Sequence, residues 1–181
     1  NSLADAVIVL WGWRRYALAL VAGAVTTFAF APFDVFPVAW LTLPVLVWLI
    51  DGSVAPEGTG LLRRFLPAFA AGWWFGFGFF LAGLWWVGMS FLVDAATFAW
   101  LLPLAVVALP AGLALFWAFA AVLARLLWTE GWSRVLVFAV VMTVAEWLRG
   151  HVLTGFPWNA FGYALMPNTL MMQAAALVGL W

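Results

Sequence analysis

Glu146 and Arg149 are the ionisable residues best placed to do chemistry in this chain. They lie three apart in Glu146-Trp-Leu-Arg149, on one helix face and close enough for an ion pair. Charges set in apolar surroundings are costly, so they are usually paired and often functional. Two readings follow. The pair closes a helix and pins the loop after it, or it shapes an outward cavity for the polar head of a substrate. His151 stands alone, and its type and position suit a hydrogen-bonding loop residue better than a ligand or base. Thr154, Gly155 and Pro157 suit an ordered turn, and Trp158 offers a rigid amphipathic surface. The candidate substrate-cavity residues are therefore Glu146, Arg149, His151, Pro157 and Trp158.

Other chemistries are poorly supplied. There is no Cys, which removes disulfides, thiolate metal sites and a Cys nucleophile. One His and seven scattered acids do not make a metal cluster, and no cofactor is expected. The seven basic residues are all Arg and balance the acids, so nucleic acid is excluded as a partner.

Elements that could hold such a pair follow from composition. Apolar residues make up 69% of the 181 and charged residues 8%, with a mean hydropathy of +1.14. A soluble domain carries roughly a quarter charged residues. The expected fold is all-α, a polytopic transmembrane helix bundle of about five full spans plus the start of a sixth. The spans are predicted at Tyr16–Ala31, Val38–Ile50 (broken by Pro44), Leu66–Val93, Phe98–Leu127 and Val135–Leu148, with Leu170–Trp181 beginning another. Pro32, Asp34 and Pro37 make a tight turn, and Asp51–Arg64 is a polar loop. Arg14, Arg15, Arg63, Arg64, Arg125 and Arg134 then fall on one side and Arg149 on the other. The positive-inside rule places the N-terminus in the cytoplasm and the Gly150–Asn168 segment outside.

Gly72, Gly76 and Gly83 share roughly one helical face. Such a face serves helix packing, or else a groove that admits a lipid chain. The fifteen Trp gather near span ends or within the third span, as interfacial anchors do. Asn1 is not a start Met and Trp181 lies inside an apolar run, so a longer parent protein is expected.

The stretch from Glu146 through Arg149-Gly-His-Val-Leu-Thr-Gly-Phe-Pro-Trp158, followed by Phe161-Gly-Tyr163, resembles the signature segment of apolipoprotein N-acyltransferases. Phe28-Ala-Phe-Ala-Pro-Phe-Asp34 and Gly72-Trp-Trp-Phe-Gly-Phe-Gly-Phe-Phe80, with Gly83 and Trp86 after it, agree in order and spacing. The resemblance implies a bacterial inner-membrane enzyme. Such enzymes move an acyl chain from membrane phospholipid, the donor, to the α-amine of a diacylated lipoprotein, the acceptor. It also implies that a nitrilase-like periplasmic domain does the chemistry, with a Cys that forms a thioester, a Glu general acid/base and a Lys at the oxyanion.

This chain departs from that pattern, having no Cys and no Lys. Residues 1–181 are therefore expected to be an N-terminal membrane domain without the catalytic domain, inert by itself and with no catalytic residue of its own. Alternatives are a non-catalytic anchor or scaffold subunit, or a small transporter. The transporter is disfavoured because the spans carry almost no buried charge and show no inverted repeat. An association with a polyprenol-phosphate mannose synthase is compatible with the Arg- and Ala-rich composition and is left open by it.

Overall fold

Long runs of Leu, Ala, Phe and Val with few β-breaking turns favour helices, and the computed structural model contains helices without strands among its described residues, 2–55, 58–166 and 168–179. In chain order these are α1 (Leu3–Ile8), α2 (Trp13–Thr26), α3 (Pro37–Asp51), α4 (Leu61–Gly83), α5 (Ala95–Phe98), α6 (Leu102–Leu126), α7 (Ser133–His151) and α8 (Thr169–Val178). Two 3-10 segments, Trp85–Leu92 and Phe161–Leu165, link α4 to α5 and lead into α8. Local signals set several starts. Ser2 and Asp5 form a reciprocal capping box on α1, Pro37 opens α3, and Asn168 Oδ1 accepts from the Leu170 and Met171 N–H groups at 3.0 and 3.3 Å.

Helix α4 sits between α2 and α6, and glycine makes both approaches close. A Cβ on Gly78 would lie 2.1 Å from the Leu20 carbonyl oxygen, and one on Gly23 would lie 1.9 Å from that of Phe75. On the other flank, Gly72 meets the Trp117 carbonyl and Gly76 the Trp117 side chain. Close backbone approach of this kind is how apolar helices gain dispersion contacts when hydrophobicity cannot drive them together. The Gly72–Gly76 face is thus filled by α6 and leaves no groove there. Gly83 departs from it, since its missing Cβ makes room for the Asn159 side chain.

Three predicted boundaries move. The span expected to run to Val93 ends as an α-helix at Gly83, where the Trp86 indole N–H donates to the Gly83 carbonyl at 3.1 Å and takes the place of a helical partner. Pro44 does not break α3. The helix continues through it because Leu46, Leu49 and Ile50 beyond it are fully buried and hold the next turn in place. Length is the third difference. Among the described residues two stretches, Leu61–Gly83 and Ala95–Leu126, are long and apolar enough to cross a membrane. Helices α2 and α3 have 14 and 15 residues, short of the roughly 20 a span needs. Helix α7, at 19 residues, carries Arg134, Glu146 and Arg149. The first part of the expected sixth span is α8; its last two residues lie outside the described ones.

Candidate functional site

The core where α4, α6 and α7 meet is aromatic. Trp117 is fully buried, stacked on Phe75, Phe79 and Phe161 with ring centroids 5.1–5.5 Å apart. Phe80 meets it edge-on at 5.8 Å. Into this apolar wall α7 projects one carboxylate and one guanidinium. Glu146 is 3% exposed and Arg149 1%.

Every polar edge of that pair is engaged. Arg149 Nη2 donates to Glu146 Oε2 at 2.7 Å and Arg149 Nε to Oε1 at 3.2 Å. The Trp117 indole N–H donates to the same Oε1 at 2.9 Å. Arg149 Nη1 donates to the backbone carbonyls of Phe156 and, at 2.9 Å, Trp158. The guanidinium also lies over the Phe80 ring, 5.0 Å from its centroid, as a cation–π contact. A buried charge pair of this kind is tolerable only when its remaining hydrogen-bonding capacity is filled, and here it is. The two Glu146 oxygens thus accept from three donors.

Arg149 therefore ties the segment after α7 back onto the helix. The Phe156 N–H returns a bond to the Arg149 carbonyl at 2.9 Å. Gly155 makes the turn possible: its φ is +73°, and a Cβ there would lie 2.2 Å from the Gly150 carbonyl oxygen. Leu153 and Asn159 also take positive φ, at 60° and 56°. The tied segment ends in exposed Pro157 and Trp158. Trp158 packs edge-to-face with Trp86 at 5.6 Å.

The structure thus joins Glu146, Arg149 and the segment carrying Pro157 and Trp158 into one unit. His151 lies on the exposed side of α7, stacked on Trp147 at 4.4 Å with Nδ1 2.7 Å from the Trp147 carbonyl oxygen. Among the described residues no group of three His, Cys, Asp or Glu could hold a metal.

An apolar groove of about 720 Å³ runs between α3 and α7 and is bounded by Phe161–Leu165 and α8. Of the five candidate residues, Glu146 alone lines it. At its other end stands Arg134, which pairs with Asp51 at 2.8 Å. That end of the bundle is a second polar knot. Arg15 donates to the carbonyls of Leu49 and, at 3.2 Å, Gly52, and to Ser53 Oγ at 2.6 Å. Arg125 Nε donates to the Ser53 carbonyl at 3.1 Å, and the Trp128 indole N–H to Asp51 Oδ1 at 2.7 Å. Cations at the C-terminus of α3 complement its dipole.

Sequence reasoning missed Trp117 and Phe80, whose role at the pair depends on which helices meet. The sequence also gives no sign that the Arg15 side chain is 4% exposed and caps α3.

Among the described residues the chain is all-α, with two apolar stretches of membrane length and a buried ion pair that pins the segment following it, and these features define the class. The family model described as the apolipoprotein N-acyltransferase N-terminal domain matches residues 22–181, and the chain belongs to that family. It is 56% identical over 178 residues to the apolipoprotein N-acyltransferase of Brucella suis biovar 1, covering 98% of this chain and 34% of that protein. To the enzyme of the same name from Rhodopseudomonas palustris it is 54% identical, covering 100% of this chain and 33% of the relative. To that of Rhizobium meliloti it is 54% identical, covering 99% and 34%. The chain thus spans about a third of the length of these curated relatives.

Proposed function

We propose that this chain is the membrane-embedded N-terminal portion of an apolipoprotein N-acyltransferase. In that role it holds a membrane phospholipid as acyl donor and a diacylated lipoprotein as acceptor for a catalytic domain elsewhere in the full-length protein. Family membership over residues 22–181 carries the reading. In this arrangement α4 and α6 are the full-length spans, the shorter α2, α3 and α7 pack beside them as the other three of the five, and α8 begins the sixth. The N-terminus is cytoplasmic and Gly150–Asn168 faces outward, all within the bacterial inner membrane. Support for the membrane setting comes from the outer face of α6, where Leu104, Val107, Leu115, Phe119 and Leu123 are exposed together. A row of that kind suits acyl chains and not water. The two polar knots at opposite ends of α7 support the sidedness, with Arg15, Arg125 and Arg134 at one and Arg149 at the other.

Thioester chemistry needs a thiolate, and residues 1–181 hold neither Cys nor Lys. The part played here is presentation. Arg149 holds Pro157 and Trp158 at the outer rim, where Trp158 and Trp86 form an amphipathic surface over which lipid-linked substrates pass.

The test is to reconstitute the full-length protein with phospholipid and a diacylated lipoprotein and to follow N-acylation by mass spectrometry. Acylation that falls on Trp158→Ala with membrane insertion unchanged supports the proposal. Absence of any acyl transfer by the wild-type protein overturns it in favour of an anchor.

A further inference from the structure

Gly83 closes a ring of contacts at the outer rim. It is the last residue of α4, and its carbonyl accepts the Trp86 indole N–H at 3.1 Å. Its bare Cα faces Asn159: a Cβ on Gly83 would lie 2.1 Å from Asn159 Nδ2 and 3.3 Å from the amide carbon. Thr27 Cγ2, at 3.4 Å, bounds the other side of the notch. Asn159 follows Trp158 directly in the chain, and Trp158 meets Trp86 with ring centroids 5.6 Å apart and planes at 75°. Gly83 therefore touches Trp86 by its carbonyl and holds Trp158 through the residue next to it.

Arg149 cannot place the two rings by itself. Its bonds to the Phe156 and Trp158 carbonyls fix the backbone of the segment and leave the Trp158 side chain to turn about its own bonds. Both indoles are exposed, so burial does not wedge them either. Asn159 adds a second point of hold just beyond Trp158. Its φ of 56° is one that Asn adopts more readily than most residues, and Ala160 after it is buried. Glycine at 159 would suit that backbone equally well, but only a side chain fills the notch. Gly83 and Asn159 are themselves part-exposed. Filling a notch in so open a place adds little hydrophobic stabilisation, which scales with the area removed from water. What it does fix is the register of the segment on the end of α4.

We propose that Gly83 and Asn159 are positioning residues: the amide seated in the glycine notch sets the distance between Trp86 and Trp158, and so the width of the surface that lipid-linked substrates cross. This role rests on the reading of that tryptophan pair as a substrate surface, and it names what holds the pair in place. Neither residue touches substrate. Gly83 acts through the indole bonded to its carbonyl, and Asn159 through the tryptophan that precedes it.

The experiment uses the full-length protein reconstituted with phospholipid and a diacylated lipoprotein, and measures KM, kcat and melting temperature for each variant. Gly83→Ala drives a methyl group into the amide and should raise KM for the lipoprotein about fivefold, with kcat and melting temperature near wild type. Asn159→Gly empties the notch without straining the backbone and should raise KM about threefold. The combination is decisive. In Gly83→Ala with Asn159→Gly the methyl fills the space that the amide leaves, so KM should return to within about twofold of wild type. Two independent defects would add instead, and a double variant as impaired as Gly83→Ala or worse overturns the interlock. So does a wild-type KM for Asn159→Gly, a test that holds even if Gly83→Ala fails to insert. Trp158→Ala separates the interlock from the surface it serves. If Trp158→Ala raises KM while Gly83→Ala and Asn159→Gly do not, the interlock fails and the substrate surface stands. If Trp158→Ala leaves KM unchanged, the surface itself fails and the interlock has nothing to position.

Discussion

Trp117 on α6 donates its indole N–H to Glu146 on α7 at 2.9 Å, on the same oxygen that receives Arg149 Nε. The contact lets an apolar helix satisfy a carboxylate on its neighbour without spending a second charge. It also orients Glu146 so that its other oxygen faces Nη2 of Arg149. Trp117→Phe keeps the stacking on Phe75 and Phe79 and removes only the donor. Leaving one lobe of a buried carboxylate unmet costs about 1–3 kcal/mol. The expected result is a lower melting temperature in detergent with unchanged helix content by circular dichroism. A melting temperature equal to wild type would show that the bond contributes nothing to the fold.

Removing Arg149 should be far more damaging than removing the pair. Arg149→Ala strands Glu146 in an aromatic core, at a cost of about 3–5 kcal/mol, and should depress membrane expression or melting temperature. The double substitution Glu146→Leu with Arg149→Met removes both charges and should recover most of that loss. The segment from Phe156 to Trp158 should stay loose in it, because its two carbonyls still lack Arg149. Hydrogen exchange separates the two effects: global protection returns in the double variant, while protection of the Phe156 amide does not. Equal stability of the single and double variants would refute the account.

Much of this arrangement was legible in the sequence, for physical reasons that also mark the limits. Uninterrupted apolar runs place α6 and α7, and the starts of α2 and α4, to within a few residues. The i, i+3 spacing alone identifies Glu146 and Arg149 as partners. Arg149's reach to Phe156 and Trp158 depends on the Gly155 turn, which the sequence suggested only as an ordered turn. Trp117 was one of fifteen Trp in apolar surroundings, and nothing local distinguishes a donor to a distant carboxylate from an interfacial anchor. The end of α4 was misjudged because Trp85–Leu92 is as apolar as the helix before it. The 3-10 path there reflects a tertiary fit, Asn159 against Gly83, that hydropathy does not encode.

The glycine contacts give a contrast within one protein. Gly78→Ala places a methyl group where the Leu20 carbonyl oxygen already sits, at 2.1 Å, and must push α2 from α4. A forced shift of packed helices costs about 1–3 kcal/mol. Gly112→Ala on α6 meets nothing within 4 Å and gains helix propensity of up to ~1 kcal/mol. The first should lower the melting temperature and the second leave it level or raise it. Equal effects would argue that the α2–α4 approach is looser than the structure has it.

Trp158 tests whether the outer rim is a working surface. Its side chain is 56% exposed and touches the rest of the protein through the edge-to-face contact with Trp86. Such a contact is worth about 0.5–1.5 kcal/mol. Its backbone carbonyl, by contrast, accepts from Arg149, and that bond does not depend on the side chain. Trp158→Ala should therefore leave the segment tied down and the protein inserted, with a melting temperature close to wild type. If lipid-linked substrates pass over the Trp86–Trp158 surface, KM for the lipoprotein in the full-length enzyme should rise about tenfold, equivalent to ~1.4 kcal/mol of lost binding. Trp158→Phe, which keeps a ring against Trp86, should recover part of it. A rise in KM without a stability loss is something a purely structural tryptophan would not produce, whereas wild-type kinetics for Trp158→Ala would remove this surface from the substrate path.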